Sequence, residues 1–170
     1  MVQPNNQDWK AMMRKLKLEN IKASTPNAFE ASGGYDMIID AYTDKTTNGL
    51  TRAILDFLNF SGHWASRVNT QGQARVQKIP RYSLISGKVE YTDKVTWTKS
   101  TTRKGTPDIS AIVHGRAVKI EIKVGADTMR EDQLREQVRI ENAGGLYHTA
   151  TSFPSFLHWF KQTFGPSATP

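Results

Sequence analysis

Two acids and a lysine in the middle of the chain carry the clearest chemistry. Residues 105–124 read Gly-Thr-Pro-Asp-Ile-Ser-Ala-Ile-Val-His-Gly-Arg-Ala-Val-Lys-Ile-Glu-Ile-Lys-Val. Val118, Ile120, Ile122 and Val124 alternate with Lys119, Glu121 and Lys123, the period of a strand with one apolar and one charged face. His114-Gly115 suits a two-residue turn joining this strand to the one before it. In that register Val113 faces Arg116 and Asp108 falls opposite Glu121, on a face where opposed Cβ atoms lie roughly 4.5–5.5 Å apart. Carboxylates that close repel unless something neutralises them, and a hard divalent cation such as Mg²⁺ is the natural neutraliser. Lys123 stands beside the same place. A slip of one residue would put Asp108 opposite Ile120 or Ile122 on the core face, so the chemistry rests on the register. The competing reading is an amphipathic strand whose Lys and Glu are merely solvated.

Other elements must hold this pair of strands. Leu50, Ala53, Ile54, Phe57 and Leu58 form an apolar stripe that predicts a helix over 48–60, with Asn48 as its cap and Ser61-Gly62 as its end. Residues 63–69 alternate as a strand. Between 71 and 104, Ser86-Gly87 and Thr92-Asp93 read as turns and 95–98 as a strand; a polar, basic loop over 99–105 leads into Asp108. After Gly125, Asp127 or Thr128 caps a helix running to Ala143, which Gly144-Gly145 stops. A short strand follows over 146–151. Ser152 caps a last helix with Pro154 in its first turn, carrying Phe156, Leu157, Trp159 and Phe160.

Ahead of all this, Trp9, Met12, Met13 and Leu16 recur at helical spacing, a helix expected to pack on the main domain or on a partner. Residues 22–47, rich in Ser, Thr, Gly, Pro and Asn, read as a linker with one ordered piece near Tyr35 to Tyr42. The expected organisation is a helical arm and linker over 1–46, an α/β domain over 47–164 and a mobile tail over 165–170.

Composition narrows the partners. The 170 residues contain no cysteine, which excludes disulfides and thiolate metal sites and suits a reducing cytoplasm. No apolar run approaches the roughly 20 residues that span a bilayer, and the N-terminus lacks the apolar core of a signal peptide. The net charge is +7 and the pI about 9.7, a balance that favours a polyanion. Between Arg67 and Lys104 the chain carries nine basic residues against Glu90 and Asp93, with Tyr82, Tyr91 and Trp97 among them. Basic residues with interspersed aromatics can follow a phosphate backbone; packing is the plainer role for the aromatics. His63, His114, His148 and His158 show no metal-ligand spacing.

Pro107-Asp108 followed by Glu121-Ile122-Lys123 resembles the PD-(D/E)xK nuclease superfamily. Arg67-Val68-Asn69 before Gly72, Gly105-Thr106-Pro107-Asp108, Gln133, and Ala143-Gly144-Gly145-Leu146-Tyr147 are most similar to the VRR-NUC and phage Holliday-junction-resolvase-like nucleases. Over residues 48–160 the resemblance implies an α/β, restriction-endonuclease-like core, a central mixed β-sheet flanked by helices in the order αβββαβ. It implies a DNA endonuclease using Mg²⁺ or Mn²⁺, held by Asp108, Glu121 and the Ile122 backbone carbonyl. Lys123 would orient water or stabilise charge in the transition state, and Gln133 would face the same cleft, against the plainer reading of a solvated glutamine. Arg67, Lys99, Arg103 and Lys104 are the expected DNA contacts, the last two on the loop entering the site; a strand-end salt bridge competes for Arg67. The implied partner is duplex or branched DNA, with no membrane and with room for a homodimer. One position departs from the pattern: relatives carry a Glu near the start of the first core helix, where this chain has Asn48 and Gly49, with Asp56 two turns on. That leaves a competing expectation of a catalytically weak or inactive module that binds nucleic acid or a protein.

Overall fold

Val113 meets Arg116 across a turn in which His114 and Gly115 both take positive φ, 48° and 76°, the backbone twist that a two-residue hairpin favours. The expected register follows, with Ile109 opposite Ile120 and Ala111 opposite Val118. These strands belong to a computed structural model that describes residues 8–31, 42–68, 73–98 and 103–165. Along the chain lie α1 (Asp8–Ser24), α2 (Pro26–Ala31), α3 (Thr47–Phe60), β1 (Trp64–Arg67), β2 (Gln73–Ser83), β3 (Lys88–Thr98), β4 (Ile109–Val113), β5 (Arg116–Ile122), α4 (Glu131–Asn142), β6 (Leu146–Ala150) and α5 (Phe153–Phe164). The chain divides into two bodies, one of Met1–Val68 with Gly105–Pro170, the other Asn69–Lys104.

The first body is a mixed α/β structure. Its sheet runs β1-β4-β5-β6, antiparallel except for the parallel β5–β6 pair bridged by α4. One face is the core. Ile109, Ala111, Val113, Val118, Ile120, Ile122 and Ala150 are buried there with the whole predicted α3 stripe and with Phe153, Phe156, Leu157 and Phe160 of α5. Phe57 lies at the centre, its ring edge-on to Phe153, Phe156 and Phe160 at centroid distances of 5.2–5.9 Å, a geometry aromatic rings prefer. Ser152 caps α5 as expected, its hydroxyl accepting from Ser155 N.

Several boundaries move, each for a local reason. Thr46 caps α3, its hydroxyl accepting from Gly49 N, while Asn48 accepts a hydrogen bond from Arg67. Helix α4 begins at Glu131, because Gln133 Oε1 accepts from Arg130 N and Asp127 is engaged by Lys123. The linker reading of 22–47 also yields: α1 continues to Ser24 and α2 covers Pro26–Ala31. The piece expected near Tyr35 falls mostly in 32–41, outside the described residues, as do 166–170 of the expected tail. No helix among the described residues is long and apolar enough to cross a membrane.

The boundary expected at residue 46 does not separate an arm from a domain. Trp9, Met13 and Leu16 are buried in the same core as the sheet, and Trp9 stacks on Phe153 at 4.5 Å. The separate body is instead Asn69–Lys104, in which β2 and β3 pair over their full length, from Gln73 opposite Thr98 to Ser83 opposite Lys88. Thr92-Asp93, expected as a turn, lies in mid-strand opposite Ile79 and Lys78; cross-strand pairing overrides the weak strand propensity of Asp. Ser86-Gly87 does fall in the turn.

If α1 is part of the core, Trp9→Ala will cost about 3–5 kcal/mol in urea unfolding. A loss near zero would return residues 8–24 to the status of an arm.

Candidate functional site

Alternation sends every second residue of β4 and β5 to the face opposite the core, and among the described residues this face holds the buried charges. Among the described residues the buried polar or charged side chains are Thr51, Glu121 and Lys123. Glu121 and Lys123 are only 3 % and 6 % exposed, so the reading of a solvated charged strand fails. Burying charge is costly unless it is paired or used.

Each member is positioned by a nameable element. Asp108 precedes β4, continuing the register that sets it opposite Glu121; its Oδ2 accepts from Ile122 N at 3.0 Å, and its carbonyl accepts from Val68 N at 2.7 Å. Lys123 follows β5, its backbone N–H donating to Ala150 O. Its Nζ lies 3.2 Å from Glu121 Oε1 and 3.2 Å from Asp127 Oδ2. Gln133, in the first turn of α4, donates through Nε2 to the same Glu121 Oε1. The Gly105 loop keeps α4 close: Gly105 has φ +80°, and a Cβ there would lie 2.5 Å from the Asp132 carbonyl carbon. The chain thus needs glycine where the approach to Asp108 passes the first turn of α4.

Glu121 is the electrostatic centre. Burial first, then the Asp108 carboxylate, push its carboxyl from the ordinary 4.5 up to about 7, against the opposing pull of Lys123. Its Oε2 is buried with no hydrogen-bond partner among the described residues, a costly state for an acceptor. A buried, unpartnered oxygen beside a second carboxylate is a donor set that could hold a hard cation. Among the described residues no three His, Cys, Asp or Glu side chains gather as a metal cluster. Asp108 and Glu121 are the two carboxylates that could hold a single small ion such as Mg²⁺, which keeps several waters of its own.

Two residues at this site were given no role there by the sequence. Asp127, expected as a helix cap, is the second partner of Lys123; its signal was the i, i+4 offset from Lys123. Tyr147 shares the face of Lys119 and Glu121 through the parallel register. It is buried, its hydroxyl has no partner among the described residues, and burial followed by the Glu121 and Asp108 charges raises its phenol well above the ordinary range. Alternation within β6 would have placed it.

The remaining candidates have positions of their own. Arg67 pairs with Ile109 in register, so it sits on the core-side face, opposite to Glu121, and it donates to Asn48 Oδ1 at 3.1 Å rather than forming a salt bridge. Gln137 donates along α4 to Glu141. Arg103 and Lys104 are exposed and belong to the second body; Lys99 lies outside the described residues. Gly49 has no room for a side chain, since a Cβ would lie 2.5 Å from Thr43 Cγ2 and 2.6 Å from Thr43 O. Asp56 is bonded to the Tyr42 hydroxyl at 2.7 Å and lies 3.8 Å from Arg52.

Because Glu121 binds its proton more tightly folded than unfolded, folding takes up a proton between about pH 4.5 and 7. Its contribution to stability therefore falls as pH rises through that window. In chelator, the unfolding free energy of Glu121→Gln should rise relative to wild type from pH 4.5 to 7.5, by on the order of a few kcal/mol; a difference constant with pH would refute the assignment. No known protein family and no curated protein matches the chain.

Proposed function

We propose that the chain is a metal-dependent endonuclease that hydrolyses DNA phosphodiester bonds, with a restriction-endonuclease-like core. One observation carries the reading: Asp108 and the buried, half-unpartnered Glu121 share a sheet face with Lys123 between Glu121 and Asp127. The strand order and the αβββαβ succession of α3, β1, β4, β5, α4 and β6 support it. So does the resemblance of Pro107-Asp108 and Glu121-Ile122-Lys123 to the PD-(D/E)xK superfamily.

In this proposal Asp108, Glu121 and the Ile122 carbonyl hold one Mg²⁺ or Mn²⁺. When bound, such an ion lowers the pKa of its water and offsets charge on the scissile phosphate. The Lys123 ammonium, fixed from two sides, sits where it can stabilise negative charge developing on the phosphoryl oxygens. Gln133 fixes the orientation of the Glu121 carboxylate through its amide, and no protein nucleophile is required. Gly49 against Thr43, with Asp56 tied to Tyr42, favours one ion over two. The same absence of a helix acid favours the competing reading, a module that binds nucleic acid without cleaving it.

Linear duplex, flap and four-way-junction DNA with Mg²⁺ or Mn²⁺ provide the test. Asp108→Ala, Glu121→Gln and Lys123→Ala should each lower cleavage by at least about a hundredfold. Cleavage that survives both Glu121→Ala and Lys123→Ala would sink the mechanism. Independently of activity, Mn²⁺ should raise the melting temperature of the wild type and leave the Asp108→Ala/Glu121→Ala double variant unmoved. Metal binding without cleavage of any substrate would favour the binding module.

A further inference from the structure

The β2–β3 hairpin has two faces of opposite character. Register places Ala74 opposite Trp97, Val76 opposite Val95, Lys78 opposite Asp93, Pro80 opposite Tyr91 and Tyr82 opposite Val89, all on one face. The other face carries Arg75, Gln77, Ile79, Arg81, Lys88, Glu90, Thr92, Lys94 and Thr96. The first face is apolar and electrically neutral; the second is polar and positive. Both lie open. Trp97 is 75 % exposed, Tyr91 66 %, Tyr82 61 %, and Val76, Val89 and Val95 are each more than half exposed. An isolated two-stranded hairpin is marginal in water, and this one leaves about 600 Å² of apolar side chain uncovered, at the upper limit for a monomer.

We propose that the apolar face of this hairpin packs against the same face of a second copy of the chain. Charge selects this occupant. A nucleic acid would be drawn to the basic face, while the apolar face has one cation and one anion and no net charge. Shape and charge then complement each other under a two-fold axis running along the strands. Such an axis sets β2 of one copy over β3 of the other. Trp97 falls over Ala74, Tyr91 over Pro80 and Tyr82 over Val89, bulk against smaller side chain, with Val76 over Val95 among them. Lys78 and Asp93, the middle pair of the five, fall over Asp93 and Lys78 of the second copy. Two such faces bury about 1,200 Å², the lower bound of a standard specific interface. Pro80 within β2 disfavours growth by edge-to-edge pairing, since it cannot donate to a new ladder.

The test uses sedimentation of the full chain across the micromolar range. The wild type should be a dimer. Lys78→Asp alone and Asp93→Lys alone set like charges against each other in a homodimer and should weaken it at least about tenfold. An equimolar mixture of the two variants restores opposite charges only between chains, so it should recover the dimer as a heterodimer. This recovery also excludes misfolding of either variant. A wild type that stays monomeric, a dimer indifferent to both substitutions, or single variants that do not recover on mixing would each overturn the proposal. So would a monomer whose tryptophan fluorescence is quenched by a single-stranded oligonucleotide in the wild type but not in Trp97→Phe, which would assign the face to nucleic acid.

Discussion

A two-residue turn locks Val113 against Arg116, and from that pair outward each residue of β4 and β5 has its face assigned. The core depends on this, since Ile109, Ala111, Val118, Ile120 and Ile122 are buried together only in that register. The polar site depends on it equally. Shifting one strand by one residue would drive Glu121 among the phenylalanines of α3 and α5 and lift Ile120 into the charged face. Hydrophobic burial on one side therefore fixes the geometry of carboxylates on the other. The selection is strong because so many apolar side chains share in it.

The buried charges become intelligible against that background. Glu121 and Lys123 are carried into a poorly solvated place by a strand whose position was set for other reasons. They are compensated only in part: Lys123 has two carboxylate partners, whereas Glu121 has Lys123 and Gln133 on one oxygen and nothing on the other among the described residues. A site arranged for stability alone would pair that second oxygen or replace it with a methyl group. That second oxygen, on a carboxyl raised toward neutrality, is the atom the proposed cation would satisfy.

How much of this could be read from sequence differs by element, for physical reasons. The α3 stripe and the β5 alternation were legible because burial imposes a period, and the hairpin register because His114-Gly115 admits few turns. Gln133 was placed on the right helix, and its contact with Glu121 followed from helix α4 starting beside Gly105. The face of Arg67 could not be read from Arg67-Val68-Asn69 alone; its pairing with Ile109 sets it on the side away from Glu121. The β2–β3 ribbon resisted because, among the described residues, each strand is organised by pairing with the other, so Thr92-Asp93 looked like a turn. Asp127 was hidden by a plausible alternative, since an Asp before a helix reads first as a cap.

The ribbon is inserted between β1 and β4, which are already neighbours in the sheet. Val68 N and Asp108 O are bonded across the two ends of that connection. Closing a longer loop between points already held together adds only about 0.6 kcal/mol per doubling of its length. The fold could therefore acquire or lose this appendage with little thermodynamic consequence, in the way a tool is mounted on a handle. The mounting point is not neutral, however, because the chain re-enters the sheet through Pro107 and Asp108. Variation in the length of the appendage among descendants of such a chain would be tolerated more readily than change at that one splice.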